Sequence, residues 1–229
     1  MSEKKFLAYK PNGEEIHSSK EFINYYRDKY YEMIDNHEEE EKIKKILKKD
    51  RLSVRDIVDI LCWKIPAKIN PDESHVTHSI YRSRVISCKT IFDFLPDRSI
   101  CSENDAKELV KKVNSVQYIG PVYALTILHF ASKGKYPIYD QFAHIALVKI
   151  SDGSDFNAVI NKKDRIDPEF DINKSISKLF CQYKENYISK MEDIFGDNYT
   201  ISRDIDQALW AYGHFFKENN RYCKAIHKR

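Results

Sequence analysis

Apolar residues recur along most of this chain at the spacing of a helix face, with capping residues where each face begins. Ser18 and Glu21 stand at capping-box spacing, and Phe22, Tyr25, Tyr26 and Met33 follow at roughly helical intervals. The charged run from Asn36 to Asp50 carries Ile43, Ile46 and Leu47 beneath it, the pattern of a solvated surface helix. Ser53 with Asp56 opens a helix whose Val54, Ile57, Val58 and Leu61 share one face, and Pro66 ends it.

The stretch from Ala67 to Thr77 reads as a loop, with Pro71, Asp72 and Ser74, and helical segments are expected from Ser79 to Phe94. Ser102 and Asp105 start a helix with Ala106, Leu109, Val110 and Val113 on one face. After a break from Gln117 to Pro121, a second follows with Ala124, Ile127, Leu128 and Ala131 aligned. Gly134 and Pro137 punctuate the next loop, and Asp140 begins a helix to about Ile150. The polar stretch from Ser151 to Asn173 is expected to be an exposed excursion. Two closing helices follow, about Ser175 to Phe195 and Ser202 to Phe216, the latter with Ile205, Ala208, Leu209 and Tyr212 inward.

Composition narrows the fold class to all-α. With 6 Gly and 7 Pro in 229 residues, the chain lacks the turn residues that an all-β fold of this size needs. Its 42% hydrophobic content supports one folding unit over residues 1–229, arranged as one core or as two helical lobes around a cleft. A net charge of +3 permits an anionic partner without demanding one. Cys62, Cys88, Cys101, Cys181 and Cys223 are odd in number and widely spaced, which fits reduced thiols in a cytosol. The first residues lack a signal-peptide core and no apolar run reaches membrane-span length, so a soluble cytoplasmic protein is expected, nucleoid-associated in a prokaryote.

The chemistry concentrates in residues 104–150. Val116 to Ala131 read VQYIGPVYALTILHFA, a tight turn at Gly120 with Pro121 at the first helical position, where its missing N–H costs nothing. A helix N-terminus left open in this way suits a phosphate oxygen. A Gly-Pro turn is also a common plain connector. The loop and helix at 132–150 then deliver Asp140, 18 positions beyond Val122. An aspartate there can stabilise positive charge or activate water, and it is equally a favoured N-cap.

YIGPVYALTIL followed by YPIYDQFA resembles the helix-hairpin-helix DNA glycosylases with a Gly/Pro-rich loop and a catalytic aspartate, over about thirty residues. Gly120, Ala124 and Asp140 occupy that family's turn glycine, helix alanine and catalytic acid. YPIYD is similar to the adenine-mismatch and endonuclease III branches, and DIDQALWAYGHFF to the final pocket helix of the 8-oxoguanine branch. The chain departs from the pattern in three ways. Tyr118 stands where the first hairpin glycine is usual. Val122 replaces the Schiff-base lysine of bifunctional members, which argues against lyase activity by that route. No cysteine cluster follows Asp140, so no iron-sulfur cofactor is implied.

The resemblance implies a monofunctional N-glycosylase acting as a monomer on double-stranded DNA with a damaged or modified base, without cofactor or metal. Asp140 would face the sugar while the base is flipped out. Tyr118, Ile119, Gly120, Val122 and Gln141 would hold the DNA backbone. Trp210, Tyr212 and Trp63 are candidates for the base pocket and equally for the core. Lys64, Lys133 and Lys135 are candidate phosphate ligands or displaced amine nucleophiles, and solvated lysine is the plainer alternative. His129, His144 and His214 lack partners at metal-ligand spacing. A non-catalytic helix-hairpin-helix DNA-binding module, or a helical interaction scaffold, would share most of these features, and the base removed is not written in the chain.

Overall fold

The computed structural model describes residues 6–65, 67–69, 74–78, 84–96, 100, 102–152, 176–196 and 203–219, and most of them are helical. The chain divides into two compact units. One comprises 1–35, 139–171 and 182–229, and the other 36–138 and 172–181.

The first unit begins with a small antiparallel pair, β1 (Ala8–Tyr9) and β2 (Glu15–Ile16), followed by α1 (Ser19–Met33). Its other helices are α7 (Gln141–Asp152), α9 (Ser189–Phe195) after a π-helical segment (Tyr183–Ile188), and α10 (Arg203–Asn219). α10 lies against both α1 and α7. The core here is aromatic: Phe22 and Tyr26 of α1 meet Tyr212 of α10 at ring-centroid distances of 5.2 and 4.8 Å. Two buried phenols fasten β1 to these helices. The Tyr26 hydroxyl donates to the Tyr9 carbonyl at 2.5 Å, and the Tyr212 oxygen accepts the Tyr9 N–H at 3.3 Å. A phenol can bury a large ring and still satisfy its polar tip, which suits it to such a joint.

The second unit holds α2 (His37–Leu47), α3 (Val54–Lys64), β3 (Ala67–Ile69), β4 (His75–His78), β5 (Arg84–Ser87), α4 (Cys88–Phe94), α5 (Glu103–Asn114) and α6 (Pro121–Ala131), with most of α8 (Ile176–Gln182). α6 is its centre, packed by α5 and α3. Every residue from Ala124 to Phe130 is buried, so this helix, expected to hide a single apolar face, is in fact enclosed all round.

The helix starts follow the capping chemistry. Ser18, Ser53 and Ser102 each accept the amide three residues on, and Asp56 returns the bond to the Ser53 N–H at 2.8 Å, closing a full capping box.

The region after α3 corrects the sequence-based expectation. Ala67 to Thr77 is not simply a loop, and the segment before Phe94 is not helical throughout. β3, β4 and β5 form an antiparallel sheet in that order, with Val76 opposite Ile86 and both fully buried. Burying such a pair contributes about 1.5–3 kcal/mol per side chain, which overrides weak local preference in strands this short. The expected excursion at 151–173 lies, beyond the end of α7, outside the described residues. The expected helix over 175–195 is helical where described, with π geometry at its middle.

Candidate functional site

The hairpin is made by α5 and α6. The chain leaves α5 through Ser115, whose N–H returns to the Lys111 carbonyl at 3.2 Å, and the Ile119 N–H bonds the Val116 carbonyl at 3.1 Å to close a tight turn. The third residue of that turn, Tyr118, has φ 69°, the left-handed region where glycine is usual. A tyrosine there costs about 1–2 kcal/mol of backbone strain.

Gly120 is the N-cap of α6 and has no side chain to offer it. Its carbonyl accepts the Tyr123 and Ala124 amides, both at 3.1 Å, whereas the Gly120 and Val122 amides make no hydrogen bond among the described residues. A β-carbon built on Gly120 meets nothing within 4 Å, so its surroundings are open. Ile119 is buried and anchors the turn, while Tyr118 is 38% exposed.

Asp140 immediately precedes α7, in the first unit, and caps it. Its Oδ1 accepts the Phe142 N–H at 2.8 Å and its carbonyl accepts the His144 N–H at 2.9 Å. The carboxylate is half-buried and held in one orientation by that amide; Gln141 beside it is exposed. The first turn of α7 is further pinned by α10. A β-carbon on Gly213 would lie 1.9 Å from the Phe142 carbonyl oxygen, so only glycine admits this approach of the two helices. The Phe142 ring stacks on His214 at 3.5 Å, and His214 lies 3.8 Å from the Trp210 ring.

Behind Asp140 sits an aromatic and ionic group within the same unit. Tyr139 and His144 flank the Tyr187 ring at 5.2 and 6.2 Å, and Tyr187 belongs to the π-helical segment with Tyr183. Burial, and then the negative charges of Asp206 and Asp140, push the Tyr187 phenol well above its ordinary value, so it stays protonated. Asp206 is ion-paired to the buried Arg203.

Of the aromatic candidates, Trp210 and Tyr212 both belong to α10, the helix packed on α7. Trp210 is half-buried beside Phe142 and His214, whereas Tyr212 is fully buried with Phe22 and Tyr26. Trp63 belongs to the second unit, donates its Nε1–H to Glu40 at 3.2 Å and packs edge-on to Phe130. Lys133 is tied to Asp50 at 2.5 Å; Lys64 and Lys135 lie 5.7 and 5.9 Å from the rings of Trp63 and Tyr136. His129 Nδ1 donates to the Tyr136 carbonyl at 2.8 Å.

Sequence patterns missed Arg84, whose guanidinium lies 4.9 Å from the centre of the Tyr118 ring, because its strand was read as helix. The β-branched alternation in HVTH and RVIS was the available signal. Tyr187 and Asp206 carried no local signal, since only packing brings them towards Asp140.

Among the described residues no helix is long and apolar enough to cross a membrane, and no group of three His, Cys, Asp or Glu side chains could hold a metal ion. No protein-family model, curated protein or solved structure matches this chain.

Proposed function

We propose that this protein is a monofunctional DNA glycosylase that hydrolyses the N-glycosidic bond of a damaged or modified base. The observation that carries the reading is a helix hairpin whose second helix begins with unfilled amides, followed in the chain by an aspartate fixed at the head of the next helix. The amides suit a backbone phosphate and position the duplex without reading its sequence. The aspartate suits the sugar.

In the reaction, the bond from C1′ to the base nitrogen breaks and its electron pair leaves with the base, which is then protonated. Water adds to C1′ and loses a proton, giving free base and an abasic deoxyribose. A carboxylate held by the Phe142 amide is preorganised to stabilise the oxocarbenium character at C1′ and to take the proton of the attacking water. Val122 offers no amine at the hairpin, so the product of this route is an intact abasic strand.

A second reading is favoured by one specific observation: Asp140 does the work of an N-cap, which a non-catalytic DNA-binding hairpin protein would also need. Base release separates the two. Wild type is expected to free a base from at least one duplex in a panel of modified substrates and Asp140→Asn to lose that activity. Binding to an abasic-site analogue with no turnover on any substrate would favour the non-catalytic module.

A further inference from the structure

We propose that Tyr187 is a positioning residue for Asp140, its ring being the support on which the start of α7 is set. This rests on the reading that Asp140 serves base release. All the groups concerned belong to one unit, which holds both 139–171 and 182–229.

Asp140 is carried by backbone that is anchored on either side of it. Tyr139 precedes it in the chain, and four residues on the His144 N–H returns to the Asp140 carbonyl at 2.9 Å. The rings of these two residues converge on a third. Tyr187 meets Tyr139 edge-on at 5.2 Å and lies within 21° of parallel to His144 at 6.2 Å, while Tyr139 and His144 are 5.9 Å apart. The three rings thus close a triangle, and all three residues are buried. One ring supports both the residue that enters the cap and the residue whose amide completes it. Because a close-packed interior transmits a change of volume to its neighbours, removing that ring shifts the backbone that carries the carboxylate.

Tyr187 is itself held from behind. It belongs to the π-helical segment, whose wide turn stacks it nearly parallel to Tyr183, at 5.9 Å and 19°. Burial first, and then the charges of Asp206 on α10 and of Asp140, keep its phenol protonated, so the support adds no further negative charge near the carboxylate. A neutral ring enclosed in this way acts through its shape. For the reaction that shape matters because a reacting group misplaced by about 1 Å loses about 100-fold in rate while substrate binding is untouched.

The test is kcat and KM for base release from a duplex on which the wild type is active, measured below the melting transition of every variant. Tyr187→Leu is expected to lower kcat by about 100-fold with KM unchanged. Tyr187→Phe keeps the ring and should retain the wild-type kcat. Phe22→Leu opens a gap in the same unit's aromatic core, at α1, and should melt lower than wild type yet keep its kcat. Should Tyr187→Leu fail to fold, Tyr187→Met leaves a smaller gap and is held to the same result. Wild-type kcat in the Tyr187 variant, a loss of equal size in Phe22→Leu, or an equal loss in Tyr187→Phe would each overturn the supporting ring and leave the glycosylase reading intact. A wild-type protein that frees no base from any duplex would overturn that reading, and the support with it.

Discussion

Two helix beginnings lie twenty residues apart in this chain and are finished in opposite ways. α6 starts at Gly120 and Pro121, one residue without a side chain and one without an N–H, and leaves the Gly120 and Val122 amides without a hydrogen bond among the described residues. α7 starts at Asp140, whose carboxylate takes its own helix's amide, and the first turn is pressed against α10 through Gly213. A helix end that meets its own needs is stable but offers nothing to an external anion. An end left bare at a glycine costs only about a few tenths of a kcal/mol of capping and can accept one. The contrast is between a helix start with room for an external group and one filled by its own side chain.

The sharpest way to break the comparison is Asp140→Asn. Asparagine caps as well as aspartate, so the melting temperature should stay within about 1 °C, while base release falls by about 1,000-fold, some 4 kcal/mol of transition-state stabilisation. Loss of stability with unchanged base release would return Asp140 to a purely capping role. Gly213→Ala should be next in size. Its methyl must displace the Phe142 carbonyl, which costs about 3 kcal/mol and moves the turn that holds Asp140, as denaturant unfolding would record.

A third cap calibrates the other two. At Asp56, burial opposes ionisation, but the Lys49 ammonium and the Ser53 amide and hydroxyl outweigh it and hold the carboxyl below the ordinary aspartate value. Because the folded value is depressed, the contribution is complete above the ordinary carboxylate range and is lost as pH falls through the folded value. Asp56→Ala should therefore cost about 2 kcal/mol at neutral pH, with the gap in melting temperature closing in strong acid. The smallest effect on stability is expected from Gly120→Asp. The site has room for a side chain and its φ of −89° suits a cap, so the fold should gain about a few tenths of a kcal/mol. Duplex affinity should nevertheless fall, because α6 would then carry its own anion. Unchanged affinity in an anisotropy titration would show that these amides do not hold phosphate.

Both helix beginnings were legible in the chain because they depend on neighbours within four residues. Gly120-Pro121 and Asp140 declare themselves locally, as do Ser53 with Asp56 and Ser102 with Asp105. The features that escaped a reading of the chain depend on distant partners. β3 to β5 are three or four residues each and gain their stability by covering Val76 and Ile86, so the β-branched signal in HVTH and RVIS is too short to decide between strand and helix. Arg84 was lost with its strand. The exclusively glycine position at 213 looked like an ordinary helix interior, because the backbone that excludes a methyl there belongs to α7.

The π-helical stretch at Tyr183–Ile188 makes chain length negotiable at one point of an otherwise rigid register. A π turn accommodates one residue more than the α ladder requires, so removing a single residue such as Glu185 should let the ladder close and leave α9 in phase. The same excision within α10 would rotate every later side chain by about 100° and carry Trp210 or Tyr212 off its packing face. Insertions and deletions in natural variants should therefore collect in this stretch, and a cooperative melt in the Glu185 deletion, with none in a deletion at Ala208, would demonstrate the tolerance.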